Sequence, residues 1–203
     1  MSHRKTLSRR DLLKASMAIP FLATTRSSVA AMESRELPAS NVLVAYFSRS
    51  GNTRVIAGRV HRALGSALFE IQPATPYPED YEETVEQARR ERDSGYKPLL
   101  KATVPNIADY TTVFLGFPIW GETAPPVIRS FLANHDLSGK TLIPFITHGG
   151  YGLGNSLSVL AAHVPRARLL DAGLTMEADQ ERRTLEHVNR WLSEIQAKGQ
   201  IKR

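Results

Sequence analysis

A repeated alternation narrows the fold more than anything else in this chain. Short apolar runs recur at residues 42–47, 68–71, 113–117 and 142–146, with a weaker one at 169–170, and a helical stretch separates each from the next. A strand with one face in water alternates apolar and polar residues; a run that is apolar throughout is covered on both faces. Strands of that kind alternating with helices predict an α/β fold, a doubly wound parallel sheet of five strands with helices on both faces. The predicted helices are 53–64, 81–94, 125–133, 155–163 and 179–197. The last carries Leu185, Val188, Leu192 and Ile195 at helical spacing, with charges between them. Pro144 fits poorly, because it cannot donate to a ladder from the middle of a strand, and the expectation is a strand start or a bulge there.

The front of the chain stands apart. Ser8-Arg9-Arg10-Asp11-Leu12-Leu13-Lys14 precedes a mildly apolar stretch, 15–23, and then Ser28-Val29-Ala30-Ala31. A basic region, an apolar region and a small-residue exit make an export signal over 1–30. Its paired arginines resemble the twin-arginine consensus, whose cargo crosses the membrane folded, which implies a periplasmic or otherwise exported protein. A basic tail without that purpose is the alternative. No stretch approaches the ~20 apolar residues of a membrane span. Residues 31–40 read as a spacer and 41–203 as one domain.

The leader also accounts for the charge. It holds six of the 26 Lys and Arg residues and one of the 20 Asp and Glu, so the remainder carries 20 against 19. A nearly neutral domain lacks the clustered basic surface that nucleic acid requires. The chain has no Cys, and its histidines show no metal-ligand spacing, so disulfides, thiolate sites and zinc or iron–sulfur centres have no ligand set.

The first apolar run ends in Ala45-Tyr46-Phe47-Ser48-Arg49-Ser50-Gly51-Asn52-Thr53. A strand running into a hydroxyl-rich turn that opens a helix reads as a phosphate cradle, since free N–H groups and the positive end of the helix dipole converge there. The triphosphate loop, with its Lys, and the three-glycine dinucleotide fingerprint are both excluded by these letters. The turn resembles the flavodoxin signature that holds the phosphate of FMN, and that family implies the strand order 2-1-3-4-5 with ligands beyond the carboxyl ends of the strands. A helix cap without a ligand uses the same residue types.

Two further loops follow the third and fourth runs. Pro118-Ile119-Trp120-Gly121 sets an indole before a proline-started helix, suited either to a flat ligand or to core packing. Thr147-His148-Gly149-Gly150-Tyr151-Gly152 is glycine-dense and opens the next helix, as a flexible connector also would. Together the three loops extend the resemblance from about Asn41 to the last helix. It implies that Ser48, Arg49, Ser50, Gly51, Asn52 and Thr53 hold the phosphate. Pro118, Ile119, Trp120 and Gly121 would flank the flavin ring, with Gly121 beside its N5. Residues 147–152 would line the other edge, with Tyr151 a second wall.

The implied activity is redox chemistry through bound FMN, with a redox partner protein or a quinone. No catalytic triad and no metal site is implied. An FMN-dependent NAD(P)H or quinone reductase is the second reading, and a flavodoxin-shaped binding protein without flavin the third. Flavodoxin carriers are acidic, whereas this domain is near neutral, so an unusual partner is expected. Residues 73–100 exceed a minimal connection and suit either a lid or docking surface beside the flavin, with Tyr77 to Tyr81 as a wall in the reductase reading, or a solvated helix.

Overall fold

The computed structural model describes residues 40–150, 152–171, 173–177 and 181–201. The expected export signal, most of the expected spacer, Tyr151 and the predicted start of the last helix at 179–180 lie outside the described residues. The elements are β1 (Val42–Tyr46), α1 (Asn52–Leu64), β2 (Ala67–Glu70), α2 (Tyr81–Ser94), a 3₁₀ turn (Ile107–Asp109), β3 (Thr112–Pro118), α3 (Pro126–Asn134), β4 (Thr141–His148), α4 (Ser156–His163), β5 (Arg168–Leu169), β6 (Leu174–Glu177) and α5 (Glu181–Ala197). Every strand pairing is parallel, in the order β2-β1-β3-β4-β5, with β6 also on β4. This is the expected doubly wound order.

Burial on both faces explains the unbroken apolar runs. Along β1, Leu43, Ala45 and Phe47 enter one core layer with Ile128 and Phe131 of α3 and Leu160 of α4. The alternate residues Val42, Val44 and Tyr46 enter the opposite layer with Ile56 and Val60 of α1 and Val188, Leu192 and Ile195 of α5. Each fully buried side chain of this size contributes ~1.5–3 kcal/mol. In β3, Gly116 leaves room for the Phe145 ring, which a methyl at that position would overlap.

Helix ends follow local chemistry. Asp80 Oδ1 accepts the Glu83 N–H at 2.9 Å and starts α2. Gly95, left-handed at φ 69°, stops it and donates its N–H to the Arg92 and Glu91 carbonyls.

Pro144 is neither a strand start nor a bulge: it lies inside β4, paired with Leu115 of β3. The interruption falls on the neighbouring edge strand instead. The Lys140 and Leu142 carbonyls accept the Arg168 and Leu170 N–H groups, so even-numbered residues of β4 face the edge. Pro144, with no N–H to give, therefore spoils the ladder on that side only. The edge strand breaks there into β5, paired at Thr141 and Leu142, and β6, paired from Phe145 onward. Gly173 passes the gap where a Cβ would meet first the Pro144 carbonyl oxygen and then its ring. The central pairing of β3 with β4 is left whole.

Candidate functional site

The carboxyl ends of β1, β3 and β4 lie side by side because the strands are parallel and in register. At the end of β1 the chain turns through Ser48–Gly51. Ser48 Oγ accepts the Gly51 N–H at 3.1 Å, bracing the turn, and Gly51 adopts φ 97° to enter α1. A Cβ on Gly51 would meet nothing, so the glycine is needed for its left-handed backbone rather than for space. The first N–H groups of α1 have no carbonyl partner within the helix and no side chain caps them. No acidic side chain stands in that first turn.

Thr53 is buried, and its Oγ1 lies 2.9 Å from Thr147 Oγ1 at the end of β4. This contact joins the first and third loops. The Ile119 N–H donates to the Thr147 carbonyl at 2.8 Å, which ties the second loop to the third. Beyond it, Gly121 and Glu122 both take left-handed backbone, at φ 56° and 60°, closing a two-residue turn in which Trp120 N–H donates to the Thr123 carbonyl at 3.0 Å. Glu122 is strained for a residue with a side chain, and its carbonyl is held by the Asn155 N–H at 3.0 Å. Gly154 permits that approach, since a Cβ there would overlap the Glu122 carbonyl.

The long connection after β2 completes the site. Its stems meet in an antiparallel bridge at Pro73 and Leu100, with Ala74 N–H donating to Leu99 and Lys101 N–H to Gln72. Between the stems, the Tyr77 hydroxyl donates to Glu91 Oε2 and Gln87 Nε2 donates to Glu91 Oε1, both at 2.8 Å. Burial, and then the bond to Glu91, push the Tyr77 phenol well above its ordinary pKa. The Tyr77 ring meets Trp120 edge-on at 4.9 Å, and Phe47 meets the same indole at 5.1 Å. Arg49 Nη2 donates to the Glu79 carbonyl at 2.6 Å, and its guanidinium lies 5.8 Å from the centre of the Tyr81 ring.

These pieces enclose a cleft of about 520 Å³. Arg49, Ser50 and Thr53 form one end; Pro118, Ile119, Trp120 and Gly121 form a second wall; one face of α2, from Tyr81 to Arg92, forms the third. The size and the mixture of apolar walls with a few convergent polar groups suit a small-molecule site. Gly51 and Asn52 sit at the mouth of α1, and Ser48 faces a smaller cleft of about 380 Å³ on the other side of the turn. Thr147 reaches the main cleft through Thr53. His148, Gly149, Gly150 and Gly152 do not line it; His148 Nδ1 accepts the Gly150 N–H at 3.1 Å, and Gly150 and Gly152 are left-handed.

The sequence leaves 73–100 open between a lid and a solvated helix and singles out none of the α2 residues beyond Tyr81 that wall the cleft. Tyr81, Thr84, Val85, Ala88, Arg89 and Arg92 fall at helical spacing on one face, which was the available signal, and the charge density around them disguised it. Among the described residues, no group of His, Asp or Glu side chains converges as a metal site, and no helix is long and apolar enough to cross a membrane.

The flavodoxin family model matches residues 41–195. A solved candidate flavoprotein from Bacteroides eggerthii is 33% identical, covering 76% of this chain and 97% of its own, with a TM-score of 0.65. One from Bacteroides uniformis is 31% identical, covering 76% and 99%, with a TM-score of 0.67. A Lactobacillus acidophilus flavoprotein solved in complex with FMN shares the fold at 20% identity, covering 76% and 99%, with a TM-score of 0.61. No curated protein matches. With the parallel order, the hydroxyl-rich turn and a family match over most of its length, this chain belongs to the flavodoxin family.

Proposed function

We propose that the protein is an exported redox protein that holds FMN in the larger cleft and passes electrons through it to a redox partner protein or a quinone. The observation that carries this reading is the convergence of the α1 N-terminus and the Trp120-Gly121 loop on one cleft with a polar end and an apolar, aromatic wall. The donor set fits the cofactor: a phosphate monoester suits the free N–H groups, Ser50 and Arg49, and a flat ring suits the indole.

Each residue then has a task. The Glu79 carbonyl holds Arg49 at the mouth, where its charge offsets the phosphate. Phe47 and Tyr77 fix the plane of Trp120 from its edges. Gly121 carries no side chain, so its peptide can face the ring. Val85 and Ala88 keep water from the α2 side. Residues 147–152 are assigned to the far edge of the ring, supported by their adjacency through Thr147. Bound there, FMN supplies one- and two-electron transfer. A reductase acting on NAD(P)H or a quinone is the second reading, favoured by the arginines that α2 brings to the same cleft. Export by the twin-arginine route is supported by Arg9 and Arg10 ahead of the apolar stretch.

The test is a visible absorption spectrum of the purified protein, titrated with FMN and then reduced stepwise without air. Saturable binding with shifted flavin bands supports the reading; no binding overturns it in favour of a fold without flavin. Rapid NAD(P)H oxidation coupled to a soluble quinone moves the assignment to the reductase. For export, R9K/R10K should leave the precursor in the cytoplasm on cell fractionation.

A further inference from the structure

On the far side of the Gly121-Glu122 turn lies a second cleft of about 480 Å³, walled by Arg92, Arg129, Thr123, Gly154 and Asn155. Two guanidiniums open onto it. Arg129 Nη2 donates to Thr123 Oγ1 at 3.1 Å, while its Nε is buried with no partner. Arg92 Nε donates to the exposed Asp93 carboxylate at 3.0 Å, and a methyl on Gly121 would overlap the Arg92 guanidinium. Glu122 stands at the rim, but among the described residues neither it nor any other carboxylate pairs with Arg129. Burial first, and the neighbouring Arg92 charge second, hold the Arg129 pKa below its ordinary value.

Two like charges held together in a part-buried cleft repel unless an anion lies between them. Guanidiniums also present paired N–H groups that match the oxygens of a phosphate or a carboxylate. We propose that Arg92 and Arg129 bind the oxyanion of a second, diffusible small molecule, a phosphate or carboxylate group, beside the turn that carries Gly121. The shared residues Arg92 and Gly121 place this cleft next to the larger one. Resting on the flavin reading, the oxyanion is the handle by which a redox co-substrate is positioned beside the ring.

The experiment is a titration of the full chain, free and FMN-loaded, with inorganic phosphate and with acetate at constant ionic strength, read by thermal shift and by phosphorus NMR. Saturable binding to the FMN-loaded protein is expected, weakened at least tenfold in Arg129→Gln and in Arg92→Gln, and largely retained in Arg129→Lys. FMN affinity of Arg129→Gln should stay within twofold of the parent. Tighter phosphate binding identifies a phosphorylated ligand and tighter acetate binding a carboxylated one. Phosphate binding that both glutamine variants retain, or that disappears once FMN is loaded, overturns the proposal. If the parent binds no FMN, the flavin reading fails alone, because Arg129-dependent phosphate binding to the free protein still reports this site.

Discussion

Removing one hydroxyl from the Thr53–Thr147 pair strands the other in the interior. The two Oγ1 atoms lie 2.9 Å apart, and the residues are 1% and 3% exposed. A neutral hydrogen bond contributes ~1 kcal/mol net, whereas an orphaned buried hydroxyl costs ~1–3 kcal/mol. Thr53→Val and Thr147→Val should therefore each destabilise by about 1–3 kcal/mol. The double variant leaves no polar atom stranded and should lose no more than one single variant, giving a coupling at least as large as one single loss, about 1–3 kcal/mol. Urea unfolding measures it directly, and each kcal/mol should also move the Tm by about 2–4 °C in a domain of this size. Losses that simply add would refute the reasoning. Repeating the cycle in saturating FMN asks a further question. If the Thr53 hydroxyl turns to the phosphate, the coupling vanishes and only Thr53→Val weakens FMN. Equal FMN affinity for Thr53→Val and the parent removes Thr53 from the phosphate site and leaves it a structural role.

Trp120→Ala should weaken FMN binding by about 1–3 kcal/mol, by analogy with aromatic stacking on bases, in a fluorescence titration; unchanged affinity would reduce Trp120 to packing. Gly116→Ala should cost about 1–3 kcal/mol in urea unfolding, because the new methyl meets the buried Phe145 ring. His135 is buried, with Nε2 accepting the Val104 N–H at 2.9 Å and Nδ1 donating to the Phe131 carbonyl at 2.8 Å, so it is held neutral. Burial lowers its pKa below the usual 6.5, so the unfolded chain takes up the proton first. Its contribution is full above about pH 6.5 and shrinks as pH falls below that, a slope that His135→Gln should flatten in unfolding at pH 5 and 7.

The fold was legible because both faces of the sheet are dry. Runs such as Val42 to Phe47 could not be one-sided strands, and the helix expected over 81–94 is α2 with those same ends. The edge strand was only half legible, since β5 has two residues and β6 begins after a break whose cause, Pro144, sits on another strand. The first two loops of the site were readable from their hydroxyls, glycine and indole. The sequence leaves the α2 wall open between a lid and a solvated helix, because the charges of Glu82, Glu83, Glu86, Arg89 and Arg90 do not say which face Tyr77, Glu91 and the Pro73–Leu100 bridge bring inward. The Arg92–Arg129 pairing was not readable, since it joins residues on two different helices.

The break opposite Pro144 also bears on how the molecule meets its own copies. An open sheet edge is a template for a foreign strand only where a continuous row of N–H and C=O groups is presented. Here that margin consists of a two-residue and a four-residue segment whose registers against β4 differ by two residues. The opposite margin, β2, is four residues long and is followed by Pro73. Among the described residues neither border offers a run long enough for an intruding strand to find its register, so edge-to-edge stacking is discouraged by the backbone itself, whatever charge the surface carries.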